Sequence, residues 1–378
     1  MKVAIVHDYL SDFGGAEKVV NAIYEIYPTA DIYTAVKNEK KLKSVNAFIG
    51  AKIYAPRLNG LIGLFKKLFV FSYPAYFENL NLQKYDLVIS STAHFAKGII
   101  TNSNSLHVCY IHTPPRFLWG LKTETSFARD NLLLKPILVL FDSFLRVWDF
   151  VAAQRPDYLL TNSINTKRRI SKFYKRDSTV IYPFYDFNLN KQEVSKIKPV
   201  EGDFYFTISR KGKFKNIDLI AKTFKRLKKV IYIAGECSKD KAVQAYAGKY
   251  VKLIGFLSEE EKISYLKGCK AFVVATENED FGITPIEAMS FGKPIIAYKS
   301  GGYVETVKSK KTGILFKYPK YKSLKKAILK FEKTKFNEEE IVEFANKFSK
   351  ENFQKQFKDF VSEKMKETEL IENLEIKH

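Results

Sequence analysis

The chain has 378 residues, too long for one ordinary core and suited to two domains of about 100 to 200 residues each. Hydrophobic residues make up 46% and charged residues 28%, with 18 Gly and 12 Pro, which excludes a disordered, collagen-like or linker-like polymer. Its 63 Lys+Arg against 41 Asp+Glu leave a net charge of +22, an excess that implies an anionic partner: nucleic acid, a phosphorylated ligand or an acidic membrane surface.

The first apolar run, Val3-Ala4-Ile5-Val6 followed by His7 and Asp8, is too short for a signal-peptide core. It predicts a buried strand, and the mature chain is expected to start with it. Gly14 and Gly15 then stand before a helical run with Val19, Val20, Ile23 and Ile26. Such a turn lets backbone amides meet a phosphate at the positive end of a helix, and it also suits a bare strand-to-helix connection. It is not the G-x-G-x-x-G dinucleotide fingerprint. Further strands are predicted at Asp31 to Val36, Asp86 to Ser91, His107 to His112, Tyr158 to Asn162 and Val180 to Pro183. Among them, Arg57 to Phe71 places Leu61, Leu64, Phe65, Leu68 and Phe69 on one helical stripe beside Lys66 and Lys67. That pattern fits an interfacial helix on an anionic membrane and equally a core-facing helix. The run Leu132 to Leu140 is expected to be an ordinary buried helix. Both runs contain lysine and fall short of the roughly 20 residues that span a bilayer. His112 closes the apolar run Leu106 to Ile111 and should sit at a strand C-terminus, as a structural group or a substrate ligand.

From 187 to 203 the chain turns polar without periodicity, which predicts a linker. A second strand series follows at Phe204 to Ser209, Val230 to Gly235, Val251 to Gly255, Ala271 to Ala275, Pro294 to Ala297 and Gly313 to Phe316. The alternation of strands and helices in both halves predicts two α/β units with parallel sheets. Arg210 falls at a strand end with Lys215 five residues on, where a guanidinium and an ammonium can hold a diphosphate from two sides. Glu279 and Glu287 flank Phe281-Gly282. Thr284 and Glu287 have capping-box spacing, Pro285 suits the first position of a helix, and Glu279 lies in a loop directly after an apolar strand. Their spacing does not establish the carboxylate separation of a glycosidase. In the tail, Asn337 and Glu340 predict a short helix and Ser349 caps a last one with Phe353, Phe357 and Phe360 on one stripe, fraying beyond about Thr368. Three scattered cysteines, Cys109, Cys237 and Cys269, with no histidine cluster and no D-x-D pair, point to no disulfide framework and no metal site, and a reducing cytosol fits them.

Together these segments resemble glycosyltransferase family 4, through the E-x7-E motif Glu279 to Glu287, the Arg210/Lys215 pair, the Gly14-Gly15 loop and Ser300-Gly-Gly-Tyr-Val-Glu305. His-Asp-Tyr-Leu at the start, His112-Thr-Pro-Pro-Arg116, Arg146-Val-Trp148-Asp149 and Thr161-Asn-Ser163 resemble the bacterial and archaeal mannosyltransferase-like branch that builds surface polysaccharides. The resemblance implies an α/β GT-B fold: a Rossmann-like acceptor domain over 1–186, the 187–203 linker, a nucleotide-sugar domain over 204–348, and a C-terminal helix over 349–378 crossing back to the first domain. It implies a retaining, metal-independent hexosyltransferase with no cofactor, whose donor is GDP-mannose in preference to a UDP-sugar and whose acceptor is a lipid-linked glycan at the cytoplasmic membrane face. Carried over by position, Arg210, Lys215, Gly14 and Gly15 would hold the diphosphate and Glu287 the ribose. Glu279, Phe281, Gly282 and His112 would hold the donor sugar, and Gly255 and Phe256 the base. A phosphorylase or epimerase of the same fold, and a basic nucleic-acid-binding protein, are the competing readings. No helix-turn-helix, zinc finger or aromatic RNA-binding motif supports the last.

Overall fold

The computed structural model describes residues 1–56, 72–121, 135–187 and 189–375. The Arg57 to Phe71 stretch lies outside them, as does the start of the Leu132 run. The chain divides into two compact units. One comprises Met1–Leu121, the chain leading to Pro183 and the chain from Lys350 onward; the other comprises Phe184–Ser349.

Among the described residues the first unit holds a sheet of seven parallel strands. They are β1 (Val3–His7), β2 (Asp31–Thr34), β3 (Lys52–Tyr54), β4 (Leu87–Thr92), β5 (Leu106–Ile111), β6 (Tyr158–Thr161) and β7 (Thr179–Val180). Their spatial order is β3-β2-β1-β4-β5-β6-β7, with Ala4 of β1 opposite Asp31 on one side and Val88 on the other. β1, β4 and β5 are buried along their whole length, as central strands covered on both faces must be; β1 and β5 are mostly apolar, and β4 opens apolar and ends on buried Ser90, Ser91 and Thr92. The second unit holds β8 (Tyr205–Ile208), β9 (Ile231–Ala234), β10 (Val251–Gly255), β11 (Phe272–Val274), β12 (Ile295–Tyr298) and β13 (Gly313–Phe316), in the order β10-β9-β8-β11-β12-β13. The strand order reverses direction between β1 and β4 in one sheet and between β8 and β11 in the other. Crevices open beyond the strand C-termini at such points, and ligands bind there.

The predicted strands recur within a residue or two, apart from β7, which ends at Val180 and leaves Ile181 to Pro183 without strand assignment, and β3, which the sequence reading lacks. A three-residue edge strand, Lys52–Tyr54, carries too few residues for a period to register. The predicted linker contains a helix, Lys191–Lys196, whose Asn190 and Glu193 form a reciprocal capping box. The expected buried helix at Leu132 to Leu140 is also corrected. The helix runs Lys135–Ala152, and it leaves Val139 and Leu140 56% and 60% exposed.

Asn337 caps the helix Glu338–Asn346 by accepting from the amides of Glu339 and Glu340. The last helix runs Lys350–Glu375, past the expected fraying point, and packs on the first unit. Phe353 and Phe357 are buried there. Phe353 meets the Tyr110 ring edge-on at 6.0 Å, and Gln354 donates to the Ala22 carbonyl on the helix Gly15–Ile26 at 3.1 Å. No helix among the described residues is long and apolar enough to cross a membrane.

Candidate active site

In the second unit, two loops leave the strand C-termini beside the reversal point, 209–216 after β8 and 275–282 after β11, and they are zipped together. The Glu277 amide donates to the Phe214 carbonyl at 2.8 Å, Asn216 Nδ2 donates to the Ala275 carbonyl at 2.9 Å, and Lys215 Nζ meets Glu279 Oε2 at 2.9 Å. Glu279 Oε2 also accepts from the buried Tyr303 hydroxyl at 3.3 Å, and burial with the nearby Glu279 charge pushes that phenol well above its ordinary range. Arg210 lies two residues beyond β8 and is exposed, with no hydrogen-bond or ion-pair partner among the described residues. An exposed guanidinium without a protein partner, on the same loop as a lysine paired to a carboxylate, can accept an anion.

The loop around Glu279 depends on the glycines that follow β12. Gly301 has φ +59, and a Cβ there would lie 2.1 Å from the Glu279 carbonyl oxygen. The Gly302 amide donates to that carbonyl at 2.9 Å, and Ser300 Oγ accepts from the Asn278 amide at 2.9 Å. Gly301→Ala is therefore expected to lower stability by about 2 kcal/mol or more, through left-handed backbone strain and collision with a backbone atom. A melting temperature within error of the parent would refute this packing.

The helix after this loop spans Ile283–Met289 and starts at Gly282, which takes φ +92, so Thr284 is not its cap. The expected Thr284/Glu287 capping box does not form, because the chain enters the helix two residues earlier than that spacing assumes. Pro285 occupies the third position, where its missing N–H is one of the unbonded donors anyway. Glu287 is thereby released from a capping role. It is buried, and Oε1 meets Lys262 Nζ at 3.2 Å. Burial alone would lower the Lys262 pKa, but the charges of Glu287 and Glu259 outweigh it and raise the value. Phe281 is buried against the Phe348 ring at 5.5 Å. Gly255 ends β10, two strands from β8, and Phe256 follows it; Phe256 is 67% exposed, with Lys239 Nζ 5.1 Å from its ring centre.

In the first unit, the ends of β1, β4 and β5 gather His7, Asp8, Ser91, Thr92 and His112. His112 Nε2 and Ser91 Oγ lie 2.8 Å apart, and the His7 and His112 ring centres 6.3 Å apart. His7 Nδ1 bonds the Ser91 carbonyl, and its Nε2 lies 3.9 Å from Glu17 Oε1. The Gly14 amide donates to Glu17 Oε2 at 2.9 Å, so it is already engaged, whereas Gly15 is the first residue of the helix Gly15–Ile26. Asp8 was not singled out by sequence, yet it is the most heavily bonded side chain of the region. Its two oxygens accept the amides of Ala93, His94, Phe95 and Ala96 at 2.7 to 2.9 Å and the Thr92 hydroxyl at 3.0 Å. Only the capture of the loop after β4, three strands later in the chain, explains it, and no local spacing signals that.

Burial, with the His7 charge, pushes the His112 imidazole down to about 3, and burial with Arg176 and Arg155 does the same to His107. Both rings are therefore neutral in the folded protein at pH values where the unfolded chain, near 6.5, binds protons. Stability from this source is complete above about pH 6.5 and is lost progressively as pH falls toward 3. The His112 ring signals in NMR should show no titration between pH 8 and 5; a midpoint near 6.5 would contradict this environment.

Residues 190–355 match the family described as Glycosyl transferases group 1. The alpha-1,3/1,6-mannosyltransferase ALG2 of Dictyostelium discoideum is 28% identical over 287 residues, covering 62% of this chain and 64% of that protein. The chain thus spans less than two thirds of the length of the curated relatives it matches. The structure of Anabaena Alr3699/HepE in complex with UDP is 17% identical, with a TM-score of 0.67 covering 96% of this chain and 100% of that one. Sucrose-phosphate synthase from Thermosynechococcus elongatus is 16% identical, with a TM-score of 0.68 covering 97% and 99%. At these identities the structural likeness carries the fold alone. The two parallel-sheet units thus share the GT-B fold of these structures, and residues 190–355 carry a Glycosyl transferases group 1 domain.

Proposed function

We propose that the protein transfers a hexose, mannose from GDP-mannose, with retention to a lipid-linked glycan at the cytoplasmic membrane face. The observation that supports this reading is the pair of zipped loops in the second unit, which holds the Lys215-Glu279 pair at the sheet's reversal point, with exposed Arg210 on the same loop as Lys215. Arg210 and Lys215 hold the donor diphosphate and stabilise the negative charge that develops as the nucleotide leaves. Glu279, fixed by Lys215 and Tyr303, accepts hydroxyls of the donor sugar, with the amides of Phe281 and Gly282 beside it. Glu287, held by Lys262 at 3.2 Å, takes the ribose hydroxyls, and the base rests near Gly255 and Phe256.

No side chain is assigned as a nucleophile. In a front-face substitution the bond from the anomeric carbon to the diphosphate oxygen breaks as the acceptor oxygen bonds on the same side. The departing phosphate takes the acceptor's proton. The mannosyltransferase relatives favour mannose. A UDP-sugar donor is the second reading, because complexes of HepE contain UDP and UDP-glucose. Turnover of GDP-mannose and of UDP-glucose with a polyprenyl-diphosphate-linked acceptor, with and without chelator, tests the proposal. Transfer from GDP-mannose in chelator is expected; no transfer from any nucleotide sugar would defeat it. Displacement of a thermal shift by GDP against UDP separates the two donors.

A further inference from the structure

The helix Lys135–Ala152 is inverted relative to an ordinary surface helix. Its inward face takes the polar groups. Asp149 is fully buried and accepts from Trp119 Nε1 at 2.7 Å and the Tyr174 hydroxyl at 2.8 Å, while pairing with buried Lys97 at 2.5 Å. Trp148 Nε1 donates to Glu78 at 2.8 Å, and Arg146 donates to the Leu118 carbonyl at 2.9 Å. Its outward face carries Val139, Leu140, Phe144, Val147 and Val151, exposed by 48 to 68%. Leu140, Phe144, Val147 and Val151 follow the spacing of one helical stripe. Rotating the helix to bury that stripe would strip the buried Asp149 and Lys97 of their partners, which is strongly destabilising. The apolar face is therefore locked outward, and a contiguous apolar stripe of this kind marks an interaction surface.

The next helix, Ile164–Tyr174, covers the same sheet face, since the β5-to-β6 and β6-to-β7 crossovers step in one direction with one hand. The two helices touch through Tyr174 and Asp149 and through Gln154 and the Tyr174 carbonyl. Between Ile164 and Asp177 this second helix and its end carry Lys167, Arg168, Arg169, Lys172, Lys175 and Arg176 against Asp177 alone. Arg168, Lys172 and Lys175 are exposed. An apolar stripe beside a basic one is what a bilayer with anionic headgroups engages, acyl region and charge together. A second copy of the chain is disfavoured as the occupant, because each copy brings a net charge of +22.

We infer that the outward face of Lys135–Ala152, flanked by the basic Ile164–Tyr174 helix, docks the protein on an anionic lipid bilayer. This deepens the membrane partner proposed above, but vesicle binding reads it without any sugar transfer, so the two readings fail separately. The full chain is sedimented with vesicles of phosphatidylcholine alone and of phosphatidylcholine with phosphatidylglycerol, alongside a calorimetric titration with nucleotide. Binding to the anionic vesicles is expected, falling by about tenfold or more in Phe144→Glu/Val147→Glu. In Arg168→Glu/Lys172→Glu it should fall on the anionic vesicles in particular, while nucleotide affinity stays at the parent value in both. If the glutamate pair fails to fold, Phe144→Ser/Val147→Ser is read in the same way. No binding of the parent, unchanged binding of the double variants, or a parent dimer that Phe144→Glu/Val147→Glu converts to monomers would overturn the inference.

Discussion

Arg210→Ala and Lys215→Ala should each lower turnover at saturating donor by about 10²- to 10³-fold, the usual cost of one group that stabilises developing charge. The two differ in how they reach that loss. Arg210 has no protein partner among the described residues, so its removal takes nothing from the fold and the melting temperature should stay put. Lys215 fixes Glu279 at 2.9 Å, so its removal also takes a charged contact from a half-buried carboxylate that the site uses. Donor KM should therefore rise more for Lys215→Ala than for Arg210→Ala. The double variant should fall short of the product of the two losses, because both groups serve one diphosphate. Parent-like turnover in Arg210→Ala would remove the diphosphate assignment.

The second large effect is on stability. Asp8→Ala removes the acceptor for the Ala93, His94, Phe95 and Ala96 amides together, leaving several buried donors unsatisfied. A loss of about 3 to 5 kcal/mol is expected, read as a large drop in denaturant midpoint without change in slope. Burial by itself would raise the Asp8 pKa, but the hydrogen bond and charge of His94, the His7 charge and the Ala96 amide hold it well below the carboxylate range. With the folded value depressed, its contribution is complete above about pH 4, where the unfolded carboxyl is ionised, and is lost as pH falls through the folded value. Acid unfolding of the parent should therefore begin with the histidine contribution and steepen below about pH 4; the Asp8→Ala variant should lack the second phase.

Much of this architecture is readable from local pattern. β1 and β8 are mostly apolar runs because they are central strands, and the helix Ile217–Leu227 shows its period because Ile220, Ala221 and Phe224 face one core. Arg210, Lys215 and Glu279 were accessible to a sequence reading because each follows a strand end at the reversal point. Three features were not. Asp8 owes its role to a loop 85 to 88 residues away, which no window can see. Glu287 looks like half of a capping box until the left-handed Gly282 moves the helix start. The helix at Lys135–Ala152 looks like core because its apolar residues keep helical spacing, and only the buried Lys97-Asp149 pair reveals which face points inward. Periodicity reports that a face exists; the partners of its few charged residues decide where it points.

The central claim is that the second unit holds a donor diphosphate at the reversal point of its sheet. The most direct measurement is a crystal structure of the parent protein with a bound nucleotide sugar, GDP-mannose or UDP-glucose. The account predicts diphosphate oxygens within about 3 Å of the Arg210 guanidinium and Lys215 Nζ, with the ribose at Glu287. A nucleotide bound with its diphosphate away from both Arg210 and Lys215 would contradict it.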